Sequence, residues 1–460
     1  MSLEPPQQQP ATFHRGSFAD EIETARTDLS RKLLLGDDSP GASPSDLETA
    51  PSLSPAVSAT SSTPESDAAI SPISPPLDEE LVADSFAFAF DIDGVLVRGG
   101  RPIPEALQAM KVLNGENQYG IKIPYIFLTN GGGKTEAERC GDLSGQLQVD
   151  ISPAQFICGH TPMSEMADKY NTVLVVGGEG EKCRTVAQGY GFKDVVTPGD
   201  IIKANAATTP FRKLTDEEHR NSKERDFSKV TIEAIFVFAD SRDWAGDLQI
   251  ILDLAMSKGG RIGTLSETFD EGPPIYFSHN DVVWSAAHDN VRLGMGALRG
   301  IVEYTFKEVT KGKTLETHAF GKPQIGTFEF ATRLLKRWRR NAHRLNAPPD
   351  TVYFVGDTPE SDIRGTNQYN EKAENDWYSI LVKTGVYQDG TEPAYKPRVT
   401  VNTVLDAVNH GIEREMERRR KKKQSQKPNL VPMPKLSLEE AQDCAVFSPM
   451  EERTIELTAA

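Results

Sequence analysis

Short apolar runs alternate with longer stretches of helical periodicity through the middle of the chain. Runs at 86–90, 125–128 and 352–355 have the length of strands, and polar residues or glycine follow each of them at once. Such bounded runs are typical of strands buried on both faces. Strands that alternate with helices, such as the helix predicted from about Thr135, indicate an α/β fold with a parallel sheet.

The first apolar run ends in two carboxylates, Asp91 and Asp93, followed by Gly94. The glycine allows the main chain to turn, so that both acids can point to one place above the carboxyl end of the strand. Open α/β sheets bind their ligands at that edge. A polar turn is the alternative interpretation of this segment taken alone, but a carboxylate pair there also suits Mg2+ and acid–base or nucleophilic chemistry.

Three further segments place chemically useful side chains in similar settings. Thr129 ends the second apolar run, and Lys322 lies in a rigid Gly-Lys-Pro frame. The third run ends in Gly356 and Asp357, with Asp362 five residues later. Four such clusters in one order favour a single active site over four unrelated turns.

In this order, the four clusters resemble the four motifs of the haloacid dehalogenase (HAD) superfamily. The resemblance implies a Rossmann-like core and phosphoryl transfer through an aspartyl phosphate, with Mg2+ as cofactor. It implies the following roles: Asp91 as nucleophile, Asp93 as general acid and base, Thr129 and Lys322 as phosphate and charge partners, Asp91, Asp93 and Asp357 as metal ligands, and Gly94 and Asp362 as supporting residues. Dehalogenases of the superfamily lack the second aspartate, so the resemblance disfavours dehalogenation.

Electrostatics independently supports a phosphoryl-transfer site. An anionic carboxylate that attacks an anionic phosphate is repelled, so a divalent cation and Lys322 are needed to bring the two together. Main-chain N–H groups of Asn130 and Gly131, at the start of the predicted helix, can bind phosphate oxygens. A P-loop interpretation of Gly133-Lys134-Thr135 fails because Leu128 stands where the first glycine is required.

About 190 residues separate Thr129 from Lys322, which is enough for an inserted domain. The insertion again alternates strands and helices, and in a HAD protein it is a type 2 (C2a) α/β cap. Segments at 239–244, 276–281 and 294–296 resemble subfamily IIA, and within it the cat eye syndrome critical region hydrolase group. Arg242 and Asn280, together with His279 and Asp281, lie at predicted strand ends of this cap. Arg242 and Asn280 are its candidate substrate-binding residues, although a local ion pair is an alternative for Arg242.

The predicted organisation is a disordered acidic tail at 1–83, core segments at 84–165 and 313–412, a cap at 166–312, and a basic helix and tail at 413–460. The first 83 residues contain eleven prolines and carry fourteen acidic against four basic residues. This composition cannot bury enough apolar surface to offset the entropy of ordering. The basic run at 418–423 is expected to be a solvated helix end, with nuclear import or contact with an anionic membrane as alternatives.

Charge and cysteine content limit the partners and the compartment. The net charge of −16 disfavours nucleic acid as a general partner. No stretch has the roughly 20 apolar residues of a membrane span, and the four cysteines show no zinc or disulfide spacing. The cysteine usage predicts a reducing intracellular compartment. The resemblance implies a mitochondrial location as an alternative to the cytoplasm, although the acidic amino end departs from that pattern. A homodimer through the cap is a further hypothesis.

The resulting functional prediction is a Mg2+-dependent phosphatase that acts on a small phosphorylated metabolite. One alternative is a non-catalytic regulatory or interaction protein that keeps the HAD fold. Another is a phosphatase of glycerophospholipid metabolism, since some fungal relatives of this group are joined to phospholipid-synthesis domains.

Overall fold

The computed structural model describes residues 81–388 and 390–425. Nearly all of the predicted disordered tail at 1–83, and the chain after residue 425, lie outside the described residues. Within them, the chain forms a six-stranded and a five-stranded parallel sheet and two short antiparallel ribbons. The α/β prediction is therefore confirmed.

The six-stranded sheet is the core of the protein. Its strands are β1 (Phe86–Phe90), β4 (Tyr125–Leu128), β5 (Phe156–Ile157), β13 (Thr351–Gly356), β14 (Asp376–Val382) and β15 (Val399–Val401). They lie in the order β15-β14-β13-β1-β4-β5. The helices of this part are α1 (Pro104–Leu113), α2 (Glu136–Leu147), α8 (Ile325–His343), α9 (Arg364–Asn370) and α10 (Val404–Ser425). The strands that carry the predicted motifs, β1, β4 and β13, are thus neighbours.

The alternation of phenylalanine and alanine in β1 explains how helices cover both faces of the core sheet. Phe86, Phe88 and Phe90 point to one face and pack among residues of α1 and α10. Ala87 and Ala89 point to the other face, where α8 packs. Each buried phenylalanine contributes roughly 2 kcal/mol of hydrophobic stabilisation. The central strand is consequently held rigidly, and so are the residues that follow it.

The five-stranded sheet forms the inserted α/β cap, which confirms that prediction. Its strands are β6 (Thr172–Val176), β7 (Asp194–Val196), β8 (Ala234–Val237), β9 (Ile275–Phe277) and β12 (Thr317–Ala319), in the order β12-β9-β8-β6-β7. The cap helices are α3 (Lys182–Gly189), α4 (Pro198–Ala204), α5 (Asp216–Asn221), α6 (Trp244–Ala255) and α7 (Met295–Val309). The ribbons pair β2 (Val97–Arg98) with β3 (Arg101–Pro102), and β10 (Val283–Trp284) with β11 (Arg292–Leu293).

Two element positions differ from the predicted organisation. Strand β12, which the boundary at 312/313 assigned to the core, is hydrogen bonded to β9 and so belongs to the cap sheet. The predicted basic helix does not begin at 413, because α10 runs without interruption from Val404. Two arginines of the basic run are also not freely solvated: Arg418 pairs with the buried Glu415 at 2.9 Å, and Arg419 pairs with Asp84. No helix in 81–388 or 390–425 is long and apolar enough to cross a membrane.

Candidate active site

Three strand ends bring the predicted motifs together. Asp91 follows β1, Thr129 follows β4 and Asp357 follows β13, and these parallel strands are adjacent. Parallel neighbours present their carboxyl ends at one edge of the sheet. The side chains of Asp91, Thr129 and Asp357 are all buried there.

The buried ammonium group of Lys322 lies between the carboxylates of Asp91 and Asp362. Its Nζ lies 2.8 Å from Asp91 Oδ1 and 2.8 Å from Asp362 Oδ1. Burial alone would lower the pKa of Lys322, but the charges of Asp362 and Asp91 outweigh that effect and raise its pKa. The lysine therefore stays protonated and holds the carboxylate of Asp91 in place.

Asp362 supports this arrangement rather than facing the cleft. Its Oδ2 accepts hydrogen bonds from the main-chain N–H groups of Asp357 and Thr358, both at 3.0 Å. It lies in a short π-helical turn, Pro359–Ile363, directly after β13. With one oxygen on Lys322 and the other on the main chain, Asp362 orients both the lysine and the loop that carries Asp357.

Close main-chain approaches fix the position of Asp357. Its Oδ2 accepts a hydrogen bond of 2.6 Å from the N–H of Val386. A Cβ at Gly94, where φ is +88°, would lie 2.3 Å from this oxygen, and a Cβ at Gly385 would lie 1.8 Å from it. Both positions thus require glycine, which lets two loops approach one carboxylate.

The donor set fits a hard divalent cation. Carboxylate oxygens of Asp91, Asp357 and Asp362 lie within 4.8 Å of one another. Those of Asp362 are already bound to Lys322 and the main chain, so Asp91 and Asp357 are the carboxylates that could hold a cation. Burial raises the pKa of Asp91, and it raises that of Asp357 to about 7, with the charge of Asp362 adding to the second shift. A bound cation would relieve this clustering of buried carboxylates, and oxygen-only donors match the preference of Mg2+.

Asp93 lies at the same edge of the sheet beside a basic residue of α2, with 33% of its side chain exposed. Its Oδ2 is 4.0 Å from Arg139 Nη2. Burial raises the pKa of Asp93, while the charges of Arg139 and Lys322 oppose that rise. A carboxyl group with a raised pKa can carry a proton more readily, which suits a general acid.

Thr129, Asn130 and Gly131 form the turn between β4 and α2. The N–H of Gly131 donates to Thr129 Oγ1 at 3.0 Å, which leaves the hydroxyl proton of Thr129 available. The side chain of Asn130 is occupied on both sides: Oδ1 accepts from the N–H of Lys322 at 2.7 Å, and Nδ2 donates to the carbonyl of Lys322 at 3.0 Å. Asn130 therefore secures the lysine loop to the end of β4.

The candidate cap residues occupy different environments. Asn130 Nδ2 also donates to Asp281 Oδ2 at 2.8 Å, so this cap residue reaches the core site. Asn280, by contrast, accepts from Arg299 Nη1 at 3.1 Å. Arg242 is exposed and donates to the carbonyl of Asp240. Among the described contacts, neither Arg242 nor Asn280 touches a core motif residue, so their predicted substrate binding stays a prediction.

Arg139 and Asp240 also border the site, and the sequence reasoning did not single them out. Arg139 lies four residues after Thr135, whose side chain caps α2. Its position in the first turns of a helix that starts at the active-site edge is a signal that could have identified it. Asp240 is recognisable only once β8 is placed against the turn after β4.

Two family profiles match the chain, one on each side of residues 194–318. A haloacid dehalogenase-like hydrolase profile matches residues 88–193, and a second HAD-like hydrolase profile matches residues 319–407. A mitochondrial hydrolase of Saccharomyces cerevisiae is 40% identical, over 73% of this chain and 97% of that protein. The chain belongs to the haloacid dehalogenase-like hydrolases. The predicted family and hydrolase class are thus confirmed.

A second relative and a solved structure are also similar to this chain. A cardiolipin synthase (CMP-forming)/mitochondrial hydrolase fusion protein of Schizosaccharomyces pombe is 40% identical over 71% of this chain. The chain spans 53% of that protein, about half of its length. A p-nitrophenyl phosphatase structure from Archaeoglobus fulgidus aligns with 71% of this HAD hydrolase and 100% of its own chain, at 17% identity and a TM-score of 0.47.

Proposed function

We propose that this HAD hydrolase is a Mg2+-dependent phosphatase that hydrolyses a small phosphorylated metabolite through an aspartyl phosphate on Asp91. The observation that carries the proposal is the 2.8 Å ion pair between Lys322 and Asp91, at a strand edge that Asp357 and Asp93 share. The pair directs one oxygen of Asp91 to the lysine and leaves the other, Oδ2, for attack.

In the proposed reaction, residues of this chain supply the nucleophile, the general acid and base, and the charge that offsets the phosphate. The carboxylate of Asp91 forms a bond to phosphorus while the ester bond breaks, and Asp93 gives its proton to the leaving oxygen. Water then attacks the phosphorus while the bond between Asp91 and phosphorus breaks, and Asp93 takes a proton from that water. Inorganic phosphate leaves and the carboxylate of Asp91 is restored. The hydroxyl group of Thr129 donates a hydrogen bond to a phosphoryl oxygen, and Lys322 offsets negative charge in both steps.

The carboxylates of Asp91 and Asp357 and the main-chain carbonyl of Asp93 would hold the cation. Bound Mg2+ would reduce the repulsion between the anionic nucleophile and the anionic phosphate. Calcium prefers more ligands and looser geometry, so it would support the reaction poorly.

The inserted α/β cap supports a small substrate over a folded phosphoprotein. We assign it to the type 2 class, and a homodimer through the cap is part of the proposal. Arg242 and Asn280 would reach substrate only after side-chain movement, because each has another partner now.

A phosphate ester of glycerophospholipid metabolism is a second candidate substrate. The relative from Schizosaccharomyces pombe is a fusion with a cardiolipin synthase, and a fused enzyme often serves the same pathway. Both yeast relatives are described as mitochondrial hydrolases, which favours a mitochondrial location for this protein.

A metal-dependence assay on a panel of phosphorylated metabolites tests the proposal. The purified protein should hydrolyse at least one glycerol phosphate, nucleotide or pyridoxal phosphate, should lose activity in EDTA, and should regain it with Mg2+ but less with Ca2+. Full activity after metal removal would contradict the cation's role. No turnover of the panel or of an aryl phosphate would favour the non-catalytic regulatory protein.

A further inference from the structure

The cap segment that follows β9 lies directly on the lysine loop of the core site. A Cβ at Gly321, where φ is +72°, would lie 2.7 Å from the carbonyl oxygen of Ser278 and 2.9 Å from the Cβ of His279. Lys322 is the next residue along the chain. The absence of a side chain at position 321 therefore lets the cap approach the main chain beside the lysine.

Asp281, at the end of this cap segment, makes a side-chain contact with the core. Its Oδ2 accepts a hydrogen bond of 2.8 Å from Nδ2 of Asn130. The cap holds the main chain of Asp281 on both sides. The N–H of Gly296, in the first turn of α7, donates to its carbonyl oxygen at 2.9 Å, and its own N–H donates to Nδ1 of His279 at 3.3 Å. The position of this carboxylate is thus set by the cap.

Both polar atoms of the Asn130 side chain are used by Asp281 and by the main chain of Lys322. Oδ1 accepts from the N–H of Lys322 at 2.7 Å, and Nδ2 donates to the carbonyl of Lys322 at 3.0 Å as well as to Asp281. An amide nitrogen has two protons, so these two acceptors satisfy both of them. Asp281 takes the one amide proton that Lys322 does not.

Asp281 also determines which way the amide of Asn130 faces. A carboxylate only accepts hydrogen bonds, so the NH2 end of the amide lies beside Asp281 and the oxygen points to the N–H of Lys322. Asn130 is only 5% exposed. Without an acceptor at position 281, one amide proton is buried without a partner, which disfavours the arrangement that holds Lys322.

The main chain of Lys322 in turn sets the position of its ammonium group. Nζ lies 2.8 Å from Asp91 Oδ1, and the lysine side chain is almost completely buried. A shift of the main chain at 322 moves Nζ relative to Asp91. A displacement of about 1 Å in an active site can lower the rate about 100-fold.

We infer that Asp281 is a positioning residue: through the side chain of Asn130 it holds Lys322, and with it the carboxylate of Asp91, in the reactive arrangement. The inference rests on the proposed phosphatase function, in which Asp91 is the nucleophile. No described hydrogen bond joins Asp281 directly to Lys322 or Asp91, so its effect passes through Asn130. The cap then contributes to the geometry of the reaction as well as covering the site.

The test compares Asp281→Leu, which is similar in size but has no acceptor, with Asp281→Asn, which keeps one. With p-nitrophenyl phosphate and Mg2+, Asp281→Leu should lose about 10- to 100-fold in kcat, with a smaller change in KM, because it leaves a buried donor unsatisfied and displaces the nucleophile. Asp281→Asn should stay within about threefold of the wild type, because its side-chain oxygen can accept from Asn130.

A double-mutant cycle tests the route through Asn130. Asn130→Ala should lose at least as much kcat as Asp281→Leu does. The double variant should lose no more than Asn130→Ala alone, because residues that act through one another are not additive. If the two fold-losses instead multiply in the double variant, Asp281 does not act through Asn130 and the inference is wrong.

A matched control and thermal unfolding separate positioning from folding. Asp253 is a partly buried cap carboxylate whose described hydrogen bond comes from Gln249 of the same helix at 2.7 Å, so Asp253→Leu should leave kcat unchanged. Thermal unfolding gives the folded fraction of each variant, so that kcat refers to folded protein.

The failure of this inference differs from the failure of the proposed function. Wild-type kcat in Asp281→Leu, or an equal loss in Asp281→Asn, would overturn the positioning role while the wild type still hydrolyses p-nitrophenyl phosphate. If the wild type hydrolyses no phosphate ester with Mg2+, the proposed function fails and the positioning role fails with it.

Discussion

Glycine at position 94 determines how closely the loop after β1 can approach Asp357. Its φ of +88° is a conformation that other residues adopt with strain, and the threonine at 384 also donates a hydrogen bond to its carbonyl. The space that a side chain would need there is taken by Asp357 Oδ2. The geometry of this candidate site therefore depends on the absence of a single methyl group.

Gly94→Ala should abolish most activity, and Gly120→Ala is its matched control. Both glycines have positive φ, but a Cβ at Gly120 would meet nothing within 4 Å. Gly120→Ala should lose about 1–2 kcal/mol of unfolding free energy from backbone strain alone. Gly94→Ala should lose more, because its Cβ also meets Asp357 and the Cα of Gly385. Only Gly94→Ala should lose about 100-fold or more in kcat, because it displaces Asp357. Equal kcat values in steady-state assays of the two variants would show that the close approach is unimportant.

Helix α6 carries a buried carboxyl group that makes the stability of the cap depend on pH. Asp247 is 7% exposed, and burial raises its pKa to about 6, against a hydrogen bond from Ser241 that lowers it. The folded state therefore binds this proton more tightly than the unfolded chain does. Stability from this group is present at low pH and is lost as pH rises from about 4 to about 6.

Asp247→Asn should consequently stabilise the protein at pH 8 more than at pH 4. The pKa of Asp247 in the folded state is about two units above its unfolded value. At pH values well above both, this difference corresponds to a loss of roughly 3 kcal/mol of unfolding free energy in the wild type. Urea unfolding of the wild type and the variant at each pH unit gives the difference directly. If the unfolding free energies of Asp247→Asn and the wild type differ by the same amount from pH 4 to pH 8, this account of Asp247 is wrong.

At the scale of elements, local pattern predicted the strands that carry the motifs but not every helix. β1, β4 and β13 are uniformly buried apolar runs, so the local sequence is enough to predict them as strands. The first half of α10 was missed because Gly411 and the valines at 404 and 408 weaken helical propensity. Tertiary packing overrides that weakness: a Cβ at Gly411 would lie 2.6 Å from the ring of Phe88.

At the scale of the whole molecule, the cap completes a site whose main parts the core supplies. Three of the predicted motifs meet because they follow β1, β4 and β13, which are parallel neighbours in the core sheet, whereas Lys322 follows β12 of the cap sheet. Contacts across the seam, such as Asn130 with Asp281 and the approach of Ala239 to Gly133, join residues more than 100 positions apart. No local pattern encodes such pairs, so the cap's contribution to the site could not be assigned from sequence.

The central claim is that Asp91 forms a phosphoenzyme that Asp93 helps to hydrolyse. An activated aryl phosphate should still phosphorylate the Asp93→Asn variant, because its leaving group needs little protonation, but hydrolysis then lacks its base. Mass spectrometry of the peptide that spans Asp91 should therefore show more phosphoenzyme in Asp93→Asn than in the wild type, and none in Asp91→Asn. Phosphate on a serine, threonine or histidine instead of Asp91 would contradict the account.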